Sequence, residues 1–105
     1  MTTANVEVRS EENTVEIRLT GEIDLSNSDS VREKIFGAIN NYLIAVKIDL
    51  SGLDYIDSAG LRVLFALAER LRLLQTAYTV VAPVGTPTRR VLEMSGMSAV
   101  AQVKP

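Results

Sequence analysis

Val6-Glu7-Val8 and Val15-Glu16-Ile17-Arg18-Leu19 alternate apolar and polar side chains, the period of two that turns every second residue of a strand toward a core. The polar stretch from Ser10 to Asn13 between them predicts a hairpin. After Gly21-Glu22-Ile23-Asp24 the chain is expected to leave the sheet, with Ser26 or Ser28 capping the next helix. In that helix Val31, Ile35, Ala38, Ile39 and Tyr42 fall on one face, while Glu33, Lys34, Asn40 and Asn41 fall elsewhere. A β-branched strand over Ala45–Leu50 ends in a polar turn that Gly52 would serve, and a strongly apolar helical pattern then runs from Ser58 to Leu74.

Ala77–Ala82 is apolar and β-prone throughout, the look of a strand covered on both faces. Thr86-Pro87 is a helix start, with Thr as cap and Pro at the first helical position. Gly96 is the expected stop, and Val100–Val103 a short last strand. The order β-β-α-β-α-β-α-β calls for parallel strands joined by right-handed crossovers. The expected fold is therefore α/β: a single domain over residues 1–105, with a mixed four- to five-stranded sheet, an antiparallel N-terminal edge and three or more helices.

Composition narrows the function. The chain of 105 residues carries a net charge of −2 with both signs interspersed, and no basic tract exists to neutralise nucleic-acid phosphates. The N-terminus, Met-Thr-Thr-Ala-Asn-Val-Glu, lacks the regions of a signal peptide. Residues 61–74 are interrupted by Arg62, Glu69, Arg70 and Arg72 and cannot span a bilayer. A cytoplasmic protein with no membrane partner is expected. Cys and His are both absent, which excludes disulfides, thiol catalysis and a Ser-His-Asp hydrolase within this chain. No glycine-rich phosphate loop is present. No enzymatic activity, cofactor or metal is expected.

The candidate chemistry lies where the Asp57-Ser58 pair opens the long helix. A hydroxyl there is either a helix cap or a place where a phosphate is tolerated, because the first turn has unpaired N–H groups and a favourable dipole. Asp57 is itself a candidate cap. Asp24 follows the second strand and reaches the same end of the sheet if that strand neighbours the third; its plainer reading is a turn-former. On a helical wheel Leu61, Val63, Leu64, Phe65, Leu67, Ala68, Leu71 and Leu74 make an apolar arc, and Arg62, Ala66, Glu69 and Leu73 a stripe on the other side with Ser58 at its top. Leu73 points outward from that stripe, as an ordinary exposed Leu or a partner contact. Gly60 costs about 1 kcal/mol against Ala inside a helix, and two readings are open for it: room for a partner near Ser58, or relief of packing against the adjacent loop.

These residues resemble a known family. Gly21-Glu22-Ile23-Asp24, Ile48-Asp49-Leu50-Ser51-Gly52-Leu53 and Asp57-Ser58-Ala59-Gly60-Leu61 are similar to segments of the bacterial anti-sigma-factor antagonists of the STAS domain family, and the likeness extends along essentially the whole chain. The resemblance implies a domain, monomeric when free, that binds a serine-kinase anti-sigma factor and so frees a sigma factor. It implies that the kinase, which carries the ATP, phosphorylates Ser58 and ends productive binding, and that a serine phosphatase restores the active form. Asp24 matches the family's acidic residue near the phosphorylation site, and Asp57, Ser58, Gly60, Arg62, Glu69 and Leu73 are the expected partner-binding set. The alternative within the family is a STAS subunit of a transport system or a signalling scaffold. Ser26 and Ser51 are further hydroxyls near the motif that modification could reach.

Phosphorylation would add about −1.5 to −2 charge units at Ser58. A phosphate about 5 Å from Asp24 or a partner carboxylate is repelled by roughly 3 kcal/mol per unit charge at an effective dielectric near 20, more than a hundredfold in affinity. Arg62, one turn on, is placed to pair with that phosphate.

Overall fold

The computed structural model describes residues 2–105. The elements are β1 (Ala4–Ser10), β2 (Thr14–Ile23), α1 (Ser28–Gly37), β3 (Ala45–Ile56), α2 (Ser58–Leu74), β4 (Ala77–Val81), α3 (Pro87–Ser95), a 3-10 turn at Met97–Ala99 and β5 (Gln102–Lys104). The strands lie in one sheet in chain order, with β1 antiparallel to β2 and the other neighbours parallel. This is the mixed sheet with an antiparallel N-terminal edge that the alternation predicted.

Strands in chain order joined by right-handed crossovers always step the same way, which puts the connecting helices on one face. Burial follows that geometry. Val15, Ile17 and Leu19 of β2, Val46, Ile48 and Leu50 of β3, and Tyr78 and Val80 of β4 share one core with Val31, Ile35, Leu64, Leu67, Leu71 and Leu92 from the helices. The intervening residues of β2 and β3, Glu16, Arg18, Lys47 and Asp49, lie on the open face and carry charge. Register sets Glu7 opposite Arg18 and Arg9 opposite Glu16, then Glu16 opposite Lys47 and Arg18 opposite Asp49. Two of these contacts close as ion pairs, Arg18–Asp49 at 3.5 Å and Glu16–Lys47 at 3.6 Å. The expectation that residues 77–82 are covered on both faces is corrected here. Tyr78, Val80 and Ala82 are buried, but Thr79 and Val81 are half-buried and Ala77 is exposed, because they look onto this open face.

Strand β3 does not end at Leu50. Twice it gains a residue relative to β2: Arg18 pairs with Asp49 but Thr20 with Gly52, and Gly21 pairs with Leu53 but Glu22 with Tyr55. Its buried residues therefore run Val46, Ile48, Leu50 in steps of two and then Leu53, Ile56 in steps of three. The loss of alternation is what makes a continuing strand read as a turn. Gly52 is thus a strand residue; a Cβ there would lie 2.9 Å from Thr20 Cγ2. Beyond Asp49, where β4 pairing stops, α3 takes over as neighbour, and the buried Thr88 hydroxyl donates to the Leu53 carbonyl at 3.1 Å.

Two further expectations change. Neither Ser26 nor Ser28 caps α1. Asn27 holds the cap position without a side-chain cap bond, because its amide donates to the Glu22 carbonyl at 2.9 Å and accepts from the Asp24 N–H at 3.0 Å, pinning the loop instead. The helix also stops at Gly37, and a turn in which Asn40 accepts from the Tyr42 N–H at 2.9 Å swings Tyr42 outward, 80% exposed. The Thr86-Pro87 start is as expected, with Thr86 Oγ1 accepting from the Arg89 N–H at 3.2 Å and Gly96 closing α3.

Candidate functional site

Strands β2 and β3 finish side by side. Ile23 pairs with Ile56, and the Asp57 N–H donates to the Ile23 carbonyl at 3.1 Å. Asp24 and Asp57, the residues that leave these strands, therefore share one end of the sheet. The Asp57 carboxylate is the cap of α2: Oδ1 accepts from the N–H groups of Ala59 at 2.9 Å and Gly60 at 3.1 Å. Its other oxygen accepts from the Leu25 N–H at 3.2 Å and ties down the β2–α1 loop. With the cap filled by Asp57, Ser58 is the first residue of the helix and stands exposed. Among the described residues no hydrogen bond engages its hydroxyl.

Asp24 is half-buried and densely hydrogen bonded. One oxygen accepts from the Ser26 hydroxyl at 2.5 Å and N–H at 2.8 Å, the other from Thr2 Oγ1 at 2.7 Å. These donors, the Ser26 hydroxyl foremost, hold its pKa below the ordinary value. Asp24 and Ser58 are thus at the same end of the sheet, but no hydrogen bond joins their side chains among the described residues.

Arg62 is exposed, and its Nε donates to the Ser58 carbonyl at 3.4 Å, so the side chain leans back over the first turn. Gly60 is buried and faces inward: a Cβ there would stand 2.6 Å from Ile56 Cγ1 and 2.9 Å from Ile23 Cγ2. Of its two readings, this geometry is the packing one. Further along α2, Glu69 is held by Arg72 through bonds of 2.7 and 3.1 Å, which lower its pKa, and Leu73 is 66% exposed. At 1.5 Å per residue they lie about 16 and 22 Å from Ser58 along the axis, so a partner that touched all three would cover most of the helix.

One residue at this end was invisible in the pattern. Leu25, 77% exposed, sits in the loop between Asp24 and Ser26 and lines a shallow groove between α1 and α2 together with Arg32, Ala59 and Arg62. The signal that could have found it is a large apolar side chain in an otherwise polar loop beside the motif.

Residues 5–105 match the STAS domain family. The chain belongs to the STAS domain family. BtrV of Bordetella bronchiseptica is 32% identical over 85 residues, 81% of this chain and 72% of that protein. RsfB of Mycobacterium tuberculosis, an anti-sigma-F factor antagonist, is 31% identical over 81 residues, 77% of this chain and 65% of that protein. The chain thus spans about two-thirds of the length of these relatives. A crystal structure of an anti-sigma factor antagonist from Mycobacterium paratuberculosis superimposes with a TM-score of 0.87 at 26% identity, covering 98% of this chain and 86% of that one. The order of strands and helices predicted from the sequence is the one observed, with the bounds corrected above and the last strand at Gln102–Lys104 in place of Val100–Val103. Among the described residues, no helix of this STAS domain is long and apolar enough to cross a membrane.

Proposed function

We propose that this STAS domain is a cytoplasmic anti-sigma-factor antagonist that binds a serine-kinase anti-sigma factor, frees the sigma factor, and is switched off by phosphorylation of Ser58. The observation that carries this reading is the division of labour at the start of α2. Asp57 caps the helix, so the exposed Ser58 hydroxyl has no structural duty and can be modified without unfolding the domain. The anti-sigma antagonist RsfB, 31% identical, supports the same assignment. In the reaction, Ser58 Oγ attacks the γ-phosphorus of the kinase's ATP. The new Oγ–P bond forms as the P–O bond to ADP breaks, and the hydroxyl proton passes to a base on the kinase or to water. A serine phosphatase reverses the modification by hydrolysis.

In complex with the kinase, the Ser58 end of α2 and Leu25 form the contact, with Glu69 and Leu73 extending it along the helix. A phosphate among Asp24, Asp57 and a partner's carboxylates makes that contact repulsive while leaving the core unchanged. The test is incubation with the cognate kinase and ATP. Phosphate is expected on the peptide Ile48–Arg62 at Ser58, and Ser58→Ala is expected to fold, bind the kinase and take up no label. Incorporation into Ser58→Ala at the wild-type rate, or co-purification of the native protein with a transporter subunit in place of a kinase, would overturn the proposal.

A further inference from the structure

A phosphate on Ser58 would not find the ordinary helix N-terminus. The cap carboxylate of Asp57 already holds the Ala59 and Gly60 N–H groups at 2.9 and 3.1 Å, donors that an anion at the head of a helix normally uses. Its other oxygen is taken by the Leu25 N–H of the β2–α1 loop at 3.2 Å. Two carboxylates, Asp24 and Asp57, share this end of the sheet. A second anion here needs a cation of its own.

We infer that Arg62 is the built-in counter-ion of a Ser58 phosphate, moving from the Ser58 carbonyl to the phosphate oxygens and so offsetting part of its charge from within the domain. The inference rests on the reading of Ser58 as a phosphoacceptor. Four residues of helix place the two side chains on one face, with the anion N-terminal to the cation, the favourable orientation. Arg62 already leans that way through its 3.4 Å contact, which is long for a hydrogen bond and readily exchanged. A phosphate offers bidentate acceptors that a guanidinium prefers to a lone carbonyl. The other cation in the groove, Arg32, is engaged elsewhere, its guanidinium lying 4.5 Å from the centre of the Phe36 ring. Phosphorylation then does two things at once: it adds negative charge beside Asp24, and it withdraws the Arg62 cation from any carboxylate of the partner.

The test installs phosphoserine at position 58 during translation, so no kinase is needed and a failure to find one would leave this result standing. Phosphorus-31 titration should place the second phosphate pKa in wild type below that in Arg62→Gln by about 1 unit, the low end of the range for an adjacent opposite charge. Arg62→Lys should recover part of the shift, and Arg32→Gln should leave it in place. Circular dichroism of the unmodified variants checks that they fold. An equal phosphate pKa in wild type and Arg62→Gln, or a shift abolished by Arg32→Gln and not by Arg62→Gln, would overturn the inference.

Discussion

Asp57 and Leu25 are joined by a hydrogen bond of 3.2 Å across thirty-two positions of the chain. One carboxylate thereby performs two tasks, ending the exposed N–H groups of α2 and fixing the loop that precedes α1. The candidate site is held together by this residue more than by Ser58 itself.

Asp57→Ala should lower stability by about 0.5–2 kcal/mol, the range for loss of a helix cap. That corresponds to a fall in Tm of roughly 4–8 °C per kcal/mol for a domain of this size. Calorimetry measures the fall, and hydrogen exchange should show the Leu25 amide opening faster. An unchanged Leu25 exchange rate would mean that the loop holds itself.

Gly60→Ala discriminates two opposed effects. Helix propensity alone favours Ala by about 1 kcal/mol, whereas forcing a methyl against Ile56 and Ile23 costs about 1–3 kcal/mol. The contact at 2.6 Å decides for destabilisation. Chemical denaturation checks the sign; a more stable variant would show that the two isoleucines give way.

Asp24 makes stability depend on pH. Its folded pKa lies below the ordinary value of 3.8, first through the Ser26 hydroxyl and then through Thr2. A depressed folded pKa contributes stability that is complete above the unfolded value and is lost as pH falls through the folded one. Wild type should therefore lose more Tm than Asp24→Asn as pH is lowered from about 5 to below 3. Parallel Tm curves for the two proteins would refute the assignment.

Gln75 closes α2 in the left-handed region at a φ of 58°. Glycine adopts that conformation without a Cβ penalty. Gln75→Gly should raise stability by about 0.5–1 kcal/mol, net of the extra freedom that glycine gives the unfolded chain. Thermal melting reads the effect.

Much of this was legible because α2 and the first two strands obey a single period. Val15, Ile17 and Leu19 alternate without interruption, and the apolar arc from Val63 to Leu71 is the buried face of α2. Thr86-Pro87 announced α3 through local chemistry alone. What was hidden depends on partners distant in the chain. The two residues gained by β3 break its alternation, and only the pairing with β2 shows that the strand continues. Asn27 looks like a capping residue but is occupied by Glu22 and Asp24. Gly60 could not be assigned to packing or partner until Ile23 was seen beside it. The neighbourhood of Asp24 and Asp57 required the parallel register of β2 and β3, although the place of Asp24 after the second strand hinted at it.

The open side of the sheet has an electrical consequence. Glu7, Arg18 and Asp49 form one row and Arg9, Glu16 and Lys47 the next, so every charge in the lattice neighbours its opposite and the six sum to zero. Strands stand about 4.8 Å apart, inside a Debye length of about 8 Å at physiological salt, and the potential of such a checkerboard dies away close to the surface. This side is nearly silent to a macromolecule approaching from solution, whose long-range steering falls to the opposite side and the strand ends. The roughly 1.5–2 units of charge that a phosphate would add at Ser58 lie at the strand ends, outside this cancelling lattice.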